Sequence, residues 1–275
     1  MTGRFLDRVC LITGATGIAG ATARRLAAEG ATVFVATRTA AHGLELVDDV
    51  RRAGRPAETV AVDLALPGSG QLAVDACVAA FGRIDALFNV AGGSGRTFGD
   101  GPVHEVPPDG WDATLDLNAR SLFLVCGAAI RVMLVQTRDA DGCRGAILNM
   151  SSVLTRHPSP AHFPTHAYAA SKGAIEALSL AMAARYVAEG IRVNAIAPAL
   201  TRTPMAGRAA ADPATVAYAA WKQPLAGGFI EPADIAAAAA FLLSADAARI
   251  TGQTLTVDGG FSISEAPQMY EGPVR

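Results

Sequence analysis

The sequence predicts an α/β fold, a single domain in which helices flank both faces of a doubly wound parallel sheet. Short apolar runs alternate with helical patterns along the chain, the connections between them are mostly short, and no internal repeat or domain break interrupts them. Hydrophobic residues make up 51% of the chain and charged residues only 17%, which predicts a large core. These observations indicate one domain over residues 1–275.

The predicted strands are short runs of apolar and β-branched residues, the composition typical of buried strands in a parallel sheet. In chain order they are Val9–Ile12, Ala31–Ala36, Val60–Val62, Ile84–Phe88, Ala146–Met150, Ile191–Ile196 and Thr254–Val257. Helical patterns lie between them, and such strand–helix–strand units pair their strands in parallel through right-handed crossovers. The carboxyl ends of the strands should therefore meet at one edge of the sheet.

Helices are predicted where apolar residues recur every three or four positions. They are Ile18–Glu29, a segment from Leu72 to Phe81, a long helix from about Asp109 into the 130s, a second long helix over about Ala167–Glu189, and Ala233–Leu243. Residues 92–110 and 201–228 are less regular. The second stretch is rich in alanine and proline and is predicted to be a mobile substrate lid. Residues 261–275 form a C-terminal tail that either covers an active site or frays.

A glycine-rich segment, Thr13–Gly20, joins the first predicted strand to the first predicted helix. Gly14 permits a tight turn, Gly17 lets the backbone approach a phosphate, and Gly20 allows the helix to pack closely. The helix N-terminus adds N–H groups and a positive dipole, so this segment is a candidate pyrophosphate site. The alternative is that the glycines only make a turn.

The end of the second strand indicates which nicotinamide dinucleotide is preferred. An acidic residue there would bind the ribose 2′-hydroxyl of NAD, but this chain has Arg38, whose guanidinium can pair with a 2′-phosphate. This favours NADP(H) over NAD(H), although Arg38 can also be a solvated surface arginine. Asp63, after the third strand, is expected either to bind the adenine edge or to cap the next helical segment.

Tyr168 and Lys172 are four residues apart at the start of a predicted helix, so they lie on one face. A tyrosine with a pKa of ~10 is a poor base at neutral pH, but a nearby ammonium and an oxidised nicotinamide would lower that pKa. Ser151 and Ser152 end the fifth strand, where a hydroxyl can orient a substrate oxygen. Asn118 is polar within an apolar helical stripe, which indicates either a water-linked proton relay or a structural hydrogen bond.

Together these segments resemble the short-chain dehydrogenase/reductase family over nearly the whole chain. The matching pieces are Thr13–Gly20, Asn89–Gly92, Asn118, Ser152, Tyr168 with Lys172, Asn194–Pro198, Thr251–Gln253 and Val257–Gly260. The resemblance implies a Rossmann fold, a nicotinamide cofactor and a catalytic tetrad. By position the tetrad is Asn118, Ser152, Tyr168 and Lys172.

The loop and the resemblance together give a set of expected cofactor contacts. They are Gly14, Thr16, Gly17, Ile18, Gly20, Arg38, Asp63, Leu64, Asn89, Ala91, Gly92, Tyr168, Lys172, Pro198, Thr201 and Thr203. The chain is similar to the classical branch of the family, but its glycine loop is spaced as in the extended branch. The middle glycine is Gly17, and Ile18 occupies its classical position. We expect the pyrophosphate to bind with a slightly altered loop geometry.

The main functional hypothesis is an NADP-dependent oxidoreductase that transfers hydride between nicotinamide and a carbonyl or secondary alcohol of a small molecule, with Tyr168 as general acid or base. The alternatives are an NAD-dependent alcohol dehydrogenase, a non-catalytic nucleotide sensor, and an epimerase or dehydratase that recycles its cofactor. Net consumption of added NADPH distinguishes these possibilities.

Composition limits the expected partners and location. A net charge of −2 gives no general reason to bind nucleic acid or an anionic membrane, and no apolar run approaches the ~20 residues that span a bilayer. Four cysteines without close metal or redox spacing predict reduced core thiols in a cytoplasmic protein. His157, His162 and His166 are candidates for a metal cluster, but hydride transfer of this kind needs no metal, so loop histidines near a pocket are the favoured interpretation. The resemblance further implies a homotetramer or homodimer.

Overall fold

The computed structural model describes residues 3–265, and in it seven parallel strands form one sheet in the order β3-β2-β1-β4-β5-β6-β7. The strands are β1 (Val9–Thr13), β2 (Thr32–Thr37), β3 (Ala57–Ala61), β4 (Ala86–Asn89), β5 (Gly145–Met150), β6 (Ile191–Pro198) and β7 (Thr254–Val257). The strand order reverses at β1, which pairs with both β2 and β4. The predicted single-domain, doubly wound parallel sheet is confirmed.

Helices cover both faces of this sheet. They are α1 (Ile18–Ala28), α2 (Ala40–Arg52), α3 (Ser69–Phe81), α4 (Pro108–Leu115), α5 (Ser121–Val135), α6 (His166–Tyr186), α7 (Gly207–Ala211), α8 (Pro213–Lys222) and α9 (Pro232–Leu243). Buried side chains of α1, α2 and α9 belong to one apolar layer, and those of α3, α5 and α6 belong to the other. The fold is thus a three-layer α/β/α sandwich.

Side chains of each strand alternate between the two apolar layers. In β1, Cys10 and Ile12 belong to the layer under α1 and α9, whereas Val9 and Leu11 belong to the layer under α3 and α5. Because both faces are covered, successive strand residues are all apolar rather than alternately polar. This explains why continuous apolar runs in the sequence predicted the strands.

The long helix predicted from about Asp109 is present as α4 and α5, which a π-helical turn, Asp116–Arg120, joins into one unit from Pro108 to Val135. An 18-residue window of this unit has a mean hydropathy of 1.5, enough by length and composition to cross a membrane. Half of that window is buried inside the fold, where α5 packs against α3 and the sheet. Core helices of an α/β sandwich share this composition.

The predicted lid, residues 201–228, contains more regular structure than its sequence indicated. A 3₁₀ turn (Pro204–Ala206), α7 and α8 follow one another through this stretch. Pro204 and Pro213 lie in the first turns of their helical segments, where the missing proline N–H has no intrahelical partner to lose. Of the predicted tail, residues 266–275 lie outside the described residues.

Candidate active site

A cavity of about 330 Å³ lies at the carboxyl edge of the sheet. Its walls come from the loop after β1, the loop after β4, the segment between β5 and α6, and the lid after β6. The predicted cofactor contacts that line it are Gly14, Thr16, Gly17, Ile18, Ala91, Gly92, Tyr168, Lys172, Pro198, Thr201 and Thr203. Sequence motifs separated by nearly 190 residues therefore meet at one site, as expected for the carboxyl ends of parallel strands.

At two positions of the glycine loop the backbone has a positive φ that favours glycine. Gly14 has φ 89° and donates its N–H to the carbonyl of Ala36 at 2.7 Å. Gly17 precedes α1 with φ 55° and ψ −125°, and a Cβ there would lie 3.0 Å from Cγ2 of Thr203. No side chain within residues 3–265 caps the N-terminus of α1. Its free N–H groups and the side-chain-free cradle fit a pyrophosphate.

Gly20 and Asn89 lie outside the cavity lining. A Cβ at Gly20 would lie 2.8 Å from the carbonyl oxygen of Ala15, so this glycine allows close packing, as predicted, rather than touching the cavity. Asn89 is buried, and its Nδ2 donates to Oδ1 of Asn149 at 3.0 Å and to Sγ of Cys126 at 3.2 Å. The Asn89 side chain therefore belongs to a polar network in the core, and a contact of this residue with the cofactor stays a prediction.

Arg38, Asp63 and Leu64 also lie outside this cavity, at the carboxyl ends of β2 and β3. Arg38 is exposed immediately after β2. Oδ1 of Asp63 accepts a hydrogen bond from the Ala65 N–H at 3.1 Å in the turn before α3, whose N-cap is Gly68, so Asp63 does not cap that helix; Leu64 is buried in the core. In a doubly wound sheet this end of the crevice receives the adenosine half of a dinucleotide.

Ser152, Tyr168 and Lys172 converge on one wall of the cavity. The Ser152 hydroxyl accepts a hydrogen bond from the Leu154 N–H at 3.2 Å and lies near enough to the Tyr168 phenol to lower its pKa. The Lys172 Nζ lies 5.6 Å from the centre of the Tyr168 ring and donates to the carbonyl of Met150 at 2.9 Å. Ser151 turns away and donates to Oε1 of Glu176 at 2.7 Å. Of the two serines, Ser152 is thus the one that faces the tyrosine.

Burial governs the proton affinities at this wall. It raises the pKa of the Tyr168 phenol, and the nearby Ser152 hydroxyl lowers that pKa in part. It lowers the pKa of the Lys172 ammonium to about 8. The sequence led us to expect a Tyr168 pKa lowered by its neighbours, but in the protein alone the larger effect is the loss of water around the phenol.

Asn118 lies on the π-helical turn and is fully buried. Its Nδ2 donates to the carbonyls of Gly93 and Thr114, both at 2.9 Å, and its Oδ1 accepts from the Gly93 N–H at 3.1 Å. These contacts match the structural-hydrogen-bond alternative, because Asn118 holds the cavity-lining loop rather than lining the cavity itself. A Cβ at Gly92 would lie 2.5 Å from Asn118 Oδ1, so this approach requires glycine.

Comparison with known proteins shows which family the chain belongs to. A family model described as Enoyl-(Acyl carrier protein) reductase matches residues 13–262. An A-factor type gamma-butyrolactone 1'-reductase (1S-forming) of Streptomyces virginiae is 40% identical over 95% of this chain and 98% of that protein. D-threitol dehydrogenase of Mycolicibacterium smegmatis is 38% identical over 94% and 95% of the two chains. The chain belongs to the short-chain dehydrogenase/reductase family.

A solved structure of this family also resembles the fold closely. The 3-ketoacyl-(acyl-carrier-protein) reductase from Brucella melitensis, complexed with NADH, has a TM-score of 0.80 and is 29% identical over 94% of this chain and 99% of that chain. This short-chain dehydrogenase/reductase is therefore an oxidoreductase, and its cofactor is a nicotinamide dinucleotide.

Asp100 is a site residue of this short-chain dehydrogenase/reductase that sequence reasoning missed. It lies in the irregular stretch before α4, and its two carboxylate oxygens accept from the N–H groups of Ala167 and Tyr168, each at 2.9 Å. A carboxylate at this position caps α6 and fixes the backbone of Tyr168. The sequence separation of 68 residues gives no local signal for the contact.

The remaining lining is mostly apolar. Leu154, Phe163 and Met205 contribute to it, whereas Trp221 is outside this lining and packs edge-on against Tyr218. Two of the three histidines considered as metal ligands contact other groups of the protein. His162 stacks on Tyr218 with ring centres 3.9 Å apart, and Nδ1 of His166 accepts a hydrogen bond from the Val103 N–H at 3.0 Å. Within residues 3–265 no group of three metal-binding side chains is present.

Proposed function

We propose that this protein catalyses the NADP(H)-dependent interconversion of a ketone and a secondary alcohol of a small molecule. The observation that carries the proposal is the convergence of Ser152, Tyr168 and Lys172 on one cavity wall beside the glycine loop. The names of the two relatives, a lactone 1'-reductase and a polyol dehydrogenase, support carbonyl–alcohol chemistry. The nicotinamide supplies or accepts the hydride.

The proposed roles follow from the contacts. Ser152 hydrogen-bonds the substrate oxygen, and Tyr168 delivers a proton to that oxygen during reduction or removes it during oxidation. Lys172 binds the nicotinamide ribose, and its positive charge favours the phenolate of Tyr168 when the alcohol is oxidised. Asn118 holds Gly93 so that the loop after β4 keeps its shape.

Replacement of the tyrosine tests the assignment. Tyr168→Phe removes the proton donor but keeps the ring, so we expect turnover of a ketone panel to fall by roughly 10²- to 10⁴-fold, the usual contribution of general acid–base catalysis. Binding of the nucleotide should change little. The control is Tyr186→Phe, at the C-terminal end of the same helix. Turnover retained in Tyr168→Phe would contradict the proposal. If the wild type showed no net consumption of NADPH, a nucleotide sensor or a cofactor-recycling reaction would be favoured instead.

Arg38 carries the preference for NADP(H) in this proposal. Its exposed guanidinium follows β2, and charge-assisted hydrogen bonds to a 2′-phosphate contribute about 1.5–3 kcal/mol, which corresponds to tenfold or more in affinity. Fluorescence titration should therefore show tighter binding of NADPH than of NADH, and Arg38→Gln should abolish the difference. Arg52→Gln, on exposed α2 surface, is the matched control. Tighter NADH binding by the wild type would overturn this assignment and favour the NAD-dependent alternative.

The proposal extends to assembly and location. We propose a homotetramer or homodimer that pairs through α5 and α6, which leave Phe123 and Leu180 exposed. Light scattering of the purified protein at micromolar concentration tests it, and a monomer would contradict it. A cytoplasmic location remains part of the proposal, because Cys10, Cys77, Cys126 and Cys143 are free thiols.

A further inference from the structure

The charged side chains of the cavity are all cationic. They are Arg96, Lys172 and Arg208, and neither aspartate nor glutamate contributes to the lining that residues 3–265 form. Lys172 has a role in the proposed chemistry and donates a hydrogen bond to Met150. The positive charges of the two arginines call for another explanation, because a cation in a largely apolar cavity favours an anionic ligand.

The phosphates of the nucleotide can account for Arg208. This residue lies on α7 in the lid, directly after the 3₁₀ turn. The same lid reaches the glycine loop, because a Cβ at Gly17 would lie 3.0 Å from Thr203 and 3.5 Å from Pro204. Arg208 is an exposed residue of the same lid segment that contacts the glycine loop.

Arg96 belongs to a different segment of the cavity lining, and no acidic side chain among residues 3–265 pairs with it. It follows the loop after β4, is half-buried, and donates one long hydrogen bond of 3.4 Å to the carbonyl of His162, in the segment that borders the substrate. It forms no ion pair within residues 3–265. The nearest acid in sequence, Asp100, uses both oxygens to cap α6 at Ala167 and Tyr168.

We propose that Arg96 binds an anionic group of the substrate, so that the substrate is a ketone, or its alcohol, that carries a carboxylate. A guanidinium presents paired N–H donors that match an oxyanion, and partial burial strengthens such a pair. Leu154, Phe163 and Met205 provide apolar walls for the rest of the molecule. The inference rests on the proposed function, because it names the substrate class of the same cavity.

Three probes of similar shape test this inference by calorimetry: 4-acetylbenzoate, the neutral 4-acetylbenzamide, and 4-acetylphenyl phosphate. Each is titrated into the protein loaded with NADP⁺ and into the protein without nucleotide. We expect wild-type protein to bind 4-acetylbenzoate about tenfold more tightly than the amide, because hydrogen bonds to charged groups contribute about 1.5–3 kcal/mol. Arg96→Gln should bind 4-acetylbenzoate and the amide equally. Arg96→Lys keeps the positive charge but loses the paired N–H donors of the guanidinium, so it should show an intermediate preference for the carboxylate. Tighter binding of 4-acetylphenyl phosphate than of 4-acetylbenzoate would overturn the assignment of a carboxylate.

The matched control is Arg208→Gln, which should keep the preference for the carboxylate. Equal binding of 4-acetylbenzoate and the amide by the wild type overturns the inference, as does a preference that survives in Arg96→Gln or a failure of 4-acetylbenzoate to bind at millimolar concentration. These outcomes are distinct from a failure of the proposed function, which would appear as a loss of nucleotide binding or of ketone turnover.

Discussion

Lys172 shows how one buried residue links the stability of the protein to pH. Burial lowers the pKa of its ammonium from 10.5 to about 8. Between these two values the unfolded chain binds the proton and the folded chain does not, so the contribution of this group to stability rises with pH over that range. The difference corresponds to about 3 kcal/mol.

We therefore predict that wild-type protein gains about 3 kcal/mol in free energy of unfolding relative to Lys172→Met as the pH rises from about 8 to about 10.5. Urea unfolding at several pH values measures the difference, and comparison of the two proteins cancels the titration of other groups. Lys222→Met, the other lysine of the chain, is the control and should follow the wild type. A difference that stays constant across this range would contradict the prediction.

Among individual residues, those in local motifs were predicted better from the sequence than those whose partners are distant in the chain. Ser152 and Lys172 were expected at the site and lie there, because their positions follow from the end of a strand and the start of a helix. Asp100 and Arg96 were missed, because a loop residue gains its role only from the distant segment it meets. The core hydrogen bond of the Asn89 side chain was likewise not predicted, because its partner Asn149 is 60 residues away.

Among the elements, α6 depends on a cap from outside its own sequence. Asp100→Ala removes two hydrogen bonds to the first turn of α6, and we expect a loss of about 1–2 kcal/mol in free energy of unfolding. Because one of these bonds reaches the Tyr168 N–H, kcat should fall about tenfold, which corresponds to ~1.4 kcal/mol at the transition state. Urea unfolding and steady-state kinetics provide the two measurements.

A variant that removes a helix cap far from the cavity distinguishes an effect on the position of Tyr168 from an effect on the stability of the protein. Asp234→Ala breaks the capping box of α9, so it should cost similar stability and leave kcat unchanged. Asp100→Asn retains one acceptor oxygen and should recover part of the activity. If Asp100→Ala and Asp234→Ala affected kcat equally, the cap of α6 would have no specific role in positioning Tyr168.

Elements with strong apolar patterns were predicted well, and elements at the edge of the sheet were not. The third strand begins at Ala57 rather than at Val60, because β3 is an edge strand whose polar residues Glu58 and Thr59 pair with β2. Helix α2 had no prediction, although its buried residues Gly43, Leu46, Val47 and Val50 recur at the spacing of an amphipathic helix. In the lid, alanine gives no amphipathic contrast, so α7 and α8 appeared irregular in the sequence.

For the whole molecule, the cysteines report on global folding. Cys10, Cys77 and Cys126 are buried, and burial raises the thiol pKa of all three, to about 12 for Cys77 and Cys126. Cys143 is half-buried. We predict that iodoacetamide at pH 8 modifies Cys143 first and reaches the other three only after unfolding in urea, because the reactive species is the accessible thiolate. Peptide mass spectrometry measures the order, and native labelling of Cys126 at the rate of Cys143 would contradict it.

The reversal of strand order at β1 has a consequence for how this enzyme can diversify. Residues proposed to choose the nucleotide follow β2 and β3, on one side of the reversal, and residues proposed to choose the substrate follow β4 and β5, on the other. The two sets share neither a strand nor a loop. Mutations that change the nucleotide preference can therefore accumulate without changing the substrate specificity. Mutations that change the substrate specificity can likewise leave the nucleotide preference unchanged. Under the two proposals, Arg38 and Arg96 are separate positions at which to change nucleotide preference and substrate preference.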